Sequence, residues 1–149
     1  MKKIPVKVKK LPHFPKSASL SYGTKFSSGL DLIAAIDKQI IIPKMRRILV
    51  PTGISIEMPS GYEAQIRSRS GLAFKNRIVV LNSPGTIDND YRGEIKVILM
   101  NFGDEDFIIL PEMRIAQMVF ASFIQSELID EDDLNDTIRS DGGFGSTGT

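Results

Sequence analysis

Apolar and polar residues alternate with a period of two through much of the chain. Ile54, Ile56 and Met58 alternate with polar neighbours, as do Tyr62, Ala64 and Ile66, and again Ile95, Val97 and Leu99. Residues two apart share one face of a strand, so each stretch predicts a strand with one buried face. Near the N-terminus Ile4, Val6 and Val8 alternate with Lys3, Pro5, Lys7 and Lys9. That pattern predicts a half-buried strand, with proline and lysines suited to a sheet edge. Shorter apolar runs occupy Ile40–Ile42, Arg46–Val50, Ile78–Leu81, Phe107–Leu110 and Met113–Phe123, separated by Gly, Pro, Asn and Asp. Isoleucine and valine total 27 against 18 for leucine and alanine, a β-favouring ratio. Many short strands with turn signals predict an all-β sandwich, jelly roll or barrel. Helix is expected only in short pieces, at Gly71–Lys75 and around Glu127–Leu134.

At 149 residues the chain suits one domain. A domain of this length buries about 70% of its unfolded-chain surface and needs no covalent staples. Lys and Arg number 19 against 18 Asp and Glu, so no strong overall field favours nucleic acid or membrane. There is no cysteine, which removes disulfides, thiolate metal sites and cysteine nucleophiles together. The one histidine, His13, sits between Pro12 and Phe14-Pro15, where a solvated loop is expected rather than a catalytic base. Hydrolytic chemistry would therefore rest on carboxylates, backbone groups and a bound metal. No run of about 18 apolar residues exists to span a bilayer, and the cytoplasm is the default location.

Composition shifts near residue 126. From Glu127 to Asp141 there are seven acidic residues and one basic, Arg139, followed by Gly142-Gly143-Phe144-Gly145-Ser146-Thr147-Gly148. The expected division is a domain over residues 1–126 and an acidic linker with a glycine-rich arm over 127–149. Such a segment cannot build a core, so it is mobile or folds on binding; composition alone favours a disordered tail over a functional arm. Its literal G-x-G-x-x-G lacks the preceding strand and following helix of a dinucleotide site. Consecutive glycines can still cup an anion with backbone N–H groups, and Phe144 could stack on a base.

Three further segments carry candidate chemistry. Asp88-Asn89-Asp90-Tyr91-Arg92-Gly93 begins like a calcium loop, but Arg92 and Leu99 occupy positions that need ligands, so the segment alone predicts a β-turn. Arg67-Ser68-Arg69-Ser70-Gly71 offers guanidinium and hydroxyl groups before a helix start, suited either to phosphate or to an exposed capping turn. Asp31 lies inside the apolar run Leu30–Ala35, where a carboxylate needs a structural partner or a nearby cation.

Taken in order, five segments resemble the five motifs of the trimeric dUTP pyrophosphatase (dUTPase) family. They are Gly29–Ala35, Arg69–Ala73, Gly85–Glu94, Arg114–Phe120, and Arg139 with Gly142–Gly148. Ser68 stands where the family commonly has proline, Leu30 a frequent aromatic, Asn89 a frequent serine, and Ser140 a frequent glycine. The resemblance implies a jelly-roll subunit, a homotrimer with shared sites, and cleavage of dUTP to dUMP and pyrophosphate by water attacking the α-phosphorus. That reaction keeps uracil out of DNA and supplies dUMP for thymidylate synthesis. By resemblance Asp88 holds and deprotonates the water, and Asp31 acts through water on a Mg2+ ion held mainly by the phosphates. Arg69, Ser70, Gly71 and Gln117 would contact the phosphate chain. Asn82 and Gly85, Thr86 and Ile87 would read uracil, and Tyr91 would leave no room for a ribose 2′-hydroxyl. Phe144 would cover the base while Arg139, Gly145, Ser146 and Thr147 close over the nucleotide. A dCTP deaminase of the same superfold would share parts of the third and fourth motifs but not this arm. A catalytically idle nucleotide sensor should have lost Asp88 or the tail, and both are present. A purely structural jelly-roll module explains the strands and none of the motifs.

Overall fold

The computed structural model describes residues 3–143. The expected roles of Phe144, Gly145, Ser146 and Thr147, and the mobility expected of the arm around them, lie outside the described residues. Eleven strands and one helix make up the described chain: β1 Lys7–Lys10, β2 Leu30–Ile33, β3 Ile40–Ile42, β4 Arg47–Pro51, β5 Ile54–Glu57, β6 Tyr62–Arg67, α1 Ser70–Asn76, β7 Ile78–Val80, β8 Gly85–Ile87, β9 Lys96–Asn101, β10 Phe107–Ile109 and β11 Arg114–Ser122. The largest sheet runs β2-β11-β6-β8, a second runs β4-β9-β7, and β1-β5 and β3-β10 form two-stranded ribbons. Every pairing is antiparallel, as an all-β jelly roll requires.

The alternating stretches become the core-lining strands. Ile95, Val97 and Leu99 are buried from solvent on one face and join Ile54, Ile56, Ala64 and Ile66 in the same cluster. The continuous runs behave differently. In β3 and β10 the outer pair Ile41 and Ile108 faces solvent while Ile42 and Ile109 enter the core. At the N-terminus Ile4 and Val6 are half-buried as alternation predicts, but Val8 is exposed, because β1 pairs only with β5. Lys7 there lies opposite Glu57 and donates to it at 2.7 Å, which holds the Glu57 carboxyl below its ordinary range.

Helix α1 covers the expected Gly71–Lys75. It ends at Arg77, whose left-handed backbone returns its N–H to the Ala73 and Leu72 carbonyls. The helix expected around Glu127–Leu134 is absent. Residues 123–138 take no helical or strand conformation and are exposed throughout. Asp130, Glu131, Asp132 and Asp133 repel one another there, and Leu128, Ile129 and Leu134 meet no surface that would support an amphipathic turn.

Candidate active site

The four-stranded sheet brings three of the five motifs to one end. Asp31 on β2 is opposite Gln117 on β11, and Gln117 is opposite Arg67 on β6. Directly opposed residues point to one face, here the face away from the core side chains Leu30, Met118 and Ile66. Arg69, just past β6, donates from Nε to Asp31 Oδ1 at 3.0 Å, and Arg114 Nη1 donates to Asp31 Oδ2 at 3.2 Å. Arg69 Nη1 also reaches the Arg114 carbonyl at 3.2 Å. The buried-charge question raised by Asp31 is thus answered by two guanidinium groups. Arg114 had no role assigned from sequence; its pairing spans 83 positions, which no local pattern reveals.

Gln117 fixes the loop between β6 and α1 by donating from Nε2 to the Ser68 carbonyl at 3.0 Å. Gly29 is needed beside it, because a Cβ there would overlap the Gln117 amide. Ser68 has its own task. Its hydroxyl accepts from the Val80 N–H at 2.8 Å, tying the loop to β7, which a proline at this position could not do. Arg69 is the N-cap of α1 and contributes no side-chain capping bond, so the segment is not a side-chain capping turn. Ser70 and Gly71 open the helix exposed to solvent. Replacing Ser68 with alanine strands the Val80 N–H. We expect Ser68→Ala to lower unfolding free energy by about 1–3 kcal/mol in a denaturant titration, with a parent-like value contradicting this role.

The third motif lies across the same sheet. β8 pairs with β6 through Ala64–Ile87, Gln65–Thr86 and Ile66–Gly85. Asp88 follows at once, and the Tyr91 N–H closes a turn onto the Asp88 carbonyl at 3.2 Å, so the segment is the β-turn its composition predicts. Thr86, Ile87, Asp88 and Tyr91 line a cavity of about 380 Å³ with Leu49, Glu94 and Lys96. Asn82 is exposed beside it, its Nδ2 3.1 Å from where a Gly85 Cβ would stand. Tyr91 donates its hydroxyl to the Glu94 carbonyl at 3.1 Å, and its ring lies so close to Gly93 that a Cβ there would overlap it. Ile87 and Gln117 are two strands and three residues apart by register, roughly 14 Å between α-carbons. Gly85, the first residue of the third motif, shares the Ile66 register with Met118 of β11, and the chain then runs along β8 away from Gln117 towards Asp88.

A dUTPase family model matches residues 16–148. The chain belongs to the dUTPase family. The deoxyuridine 5'-triphosphate nucleotidohydrolase of Brucella melitensis biotype 2 is 58% identical over 131 residues, covering 87% of this chain and 83% of the relative. That of Orientia tsutsugamushi strain Boryong is 54% identical over 146 residues, covering 96% and 97%. Among solved structures, a Staphylococcus bacteriophage 80alpha dUTPase mutant with dUpNHpp superimposes with a TM-score of 0.85 at 21% identity, covering 97% of this chain and 99% of that one. A mutant dUTPase from phage phi11 of S. aureus, which coordinates a structural Mg(II) ion, gives 0.77 at 18% identity, covering 89% and 99%. These likenesses show the jelly-roll fold, and the curated relatives show a dUTP-hydrolysing enzyme.

The fifth motif is described only in part. Arg139 is exposed and donates from Nε to the Gly142 carbonyl at 2.9 Å. Ser140 has a left-handed backbone, φ 45°, a conformation that explains the glycine common at this position in the family. No described helix is long and apolar enough to cross a membrane.

Proposed function

We propose that this dUTPase cleaves dUTP with Asp88 as general base, the phosphates being held by the Asp31–Arg69–Gln117 end of a neighbouring subunit's sheet. The observation that carries the reading is the convergence of Asp31, Arg69 and Gln117 on one sheet face, with Asp88 and Tyr91 on a separate cavity wall. Asp88 accepts a proton from the attacking water as the oxygen approaches the α-phosphorus. The bond from that phosphorus to the α–β bridging oxygen breaks, giving dUMP and pyrophosphate. Ser70 would donate near the α–β bridging oxygen, where charge grows and fixed donors have their largest effect, with Arg69 on the phosphate chain. Gly71 and Gln117 hold the rest of the phosphate chain.

The base would be read by backbone groups of Gly85, Thr86 and Ile87 with Asn82. Cytosine reverses the donor and acceptor pattern and leaves polar groups unpaired, a mismatch that can discriminate by ~10⁴. Tyr91 is the sugar gate. With Tyr91→Ala we expect the preference for dUTP over UTP, measured as a ratio of kcat/KM, to collapse; a mutant rejecting UTP as strongly as the parent would refute the gate.

Mg2+ fits this site in one way. Among the described residues no group of three His, Cys, Asp or Glu side chains could hold a metal ion. Asp31 alone is placed to act, and both its oxygens already accept from arginines, leaving their remaining lone pairs for a metal-bound water. The residues thus suit an ion held by triphosphate oxygens and water, whose chemistry is to neutralise phosphate charge.

The trimer, with sites shared among chains, follows the same reasoning. Along the arm over 127–149, beyond the domain over 1–126, Leu128, Ile129, Leu134 and Ile138 are each at least 75% exposed. A segment that exposes such residues without a core of its own docks elsewhere. A compact domain of this size has a radius of gyration of roughly 15 Å, and the chain from Ser126 to Arg139 extends at most ~43–47 Å. The arm can cross a neighbour's face and deliver Arg139, Phe144, Gly145, Ser146 and Thr147 to a nucleotide there. The enzyme is assigned to the cytoplasm, with dUTP rather than nucleic acid or membrane as its partner. Pyrophosphate release measured across dUTP, dTTP, dCTP and UTP tests the substrate directly. Turnover of dUTP alone supports the reading, and ammonia from dCTP would replace it.

A further inference from the structure

Glu94 closes the third motif, yet neither the phosphate-binding nor the base-reading role falls on it. Its side chain is only 15% exposed, and its carboxylate has three partners. Oε1 accepts from the Gly53 N–H at 2.9 Å and meets His13 Nε2 at 2.6 Å, while Oε2 lies 3.9 Å from Lys96 Nζ. The backbone carbonyl of the same residue receives the Tyr91 hydroxyl. One residue thus grips the N-terminal loop with its carboxylate and the Tyr91 ring with its carbonyl.

The far side of this grip is firmly built. Phe14, next to His13, is buried in the core, and the Leu11 N–H donates to the Gly53 carbonyl at 2.8 Å. Gly53 has φ +69°, and a Cβ on it would stand 3.0 Å from both Phe14 Cα and Ala35 Cβ. Pro12 and Pro15 restrict the loop further. The near side is looser. Between β8 and Glu94 the turn is closed by the Tyr91 N–H to Asp88 and by Arg92 bonds to the Asn89 and Tyr91 carbonyls. His13 is exposed in its loop, as expected, and it is also the outer half of a latch on Glu94, which lines the cavity with Asp88 and Tyr91.

We propose that Glu94 and His13 are positioning residues that fasten the Asp88–Tyr91 loop to the N-terminal loop, holding Tyr91 where it excludes a ribose. The inference rests on the reading of Tyr91 as the sugar gate. Removing either partner deletes a charge-assisted hydrogen bond, an effect of about tenfold on an equilibrium that depends on it.

The test compares His13→Ala and Glu94→Ala with the parent enzyme in two readouts. Hydrogen–deuterium exchange over residues 88–94 should accelerate in both variants while β11 stays protected as in the parent. The dUTP-to-UTP ratio of kcat/KM should fall about tenfold, and His13→Gln, which keeps a donor, should restore most of it. Parent-like exchange over 88–94 in both variants overturns the proposal. Faster exchange with an unchanged ratio also overturns it, provided Tyr91→Ala narrows that ratio. Should Tyr91→Ala itself leave the ratio at the parent value, the sugar-gate reading is what fails, and the exchange result alone decides for or against the latch.

Discussion

Asp88→Asn should bind dUTP nearly as the parent does while turnover falls by roughly 10²–10⁴, the worth of a positioned general base. Asparagine keeps the size and one acceptor oxygen of aspartate but cannot take the proton from water. Asp88 is exposed at the end of β8 and its side chain supports no core contact, so the substitution should leave the fold intact. The carbonyl that closes the turn with the Tyr91 N–H belongs to the backbone and survives. Single-turnover rates with a parallel binding titration separate the two effects. Loss of binding in step with turnover would mean that Asp88 shapes the loop instead of acting on water.

The second large effect concerns the arm. Ending the chain at Ile138 removes Arg139 and everything after it. Stacking of an aromatic ring on a base contributes about 1–3 kcal/mol, and a hydrogen bond from a charged group about 1.5–3 kcal/mol. Together these predict a loss in kcat/KM for dUTP of about 10²–10⁴. The truncation leaves every strand and the whole buried cluster in place, so thermal unfolding should stay close to that of the parent. A truncated enzyme of parent-like kcat/KM would leave the arm without a catalytic function.

The strands were legible where one face is buried. Ile95, Val97 and Leu99 alternate because β9 has one face on the core. Ile40–Ile42 and Phe107–Leu110 were legible as strands but not as a ribbon with an apolar outer pair, since a continuous run does not say which residues face inward. The acidic segment misled in a different way. At 100° per residue Leu128, Ile129 and Leu134 would point to three different sides of a helix, and nothing packs against them. At the site, the order of the motifs, through the family resemblance, carried the roles proposed for Asp31, Arg69, Gln117 and Asp88. Pairings did not show, because they depend on register between distant strands. Arg114 on Asp31 and His13 on Glu94 join positions 83 and 81 apart, and only the folded sheet brings them together. The departure at Ser68 likewise acquired a meaning only when its hydroxyl met the Val80 N–H.

Two inactive proteins can test whether each site is assembled from different chains. Asp88→Ala is mixed with the truncation ending at Ile138, their subunits are allowed to exchange, and dUTP turnover is followed. If Asp88 and the arm of one site come from different chains, some hybrid trimers hold a site with an intact Asp88 from a truncated chain and an intact arm from a substituted one. Activity should then reappear in the mixture, though each protein alone has almost none. Verified exchange of subunits with no recovered activity would contradict the shared site, because a site drawing both elements from one chain can never be whole in such a hybrid.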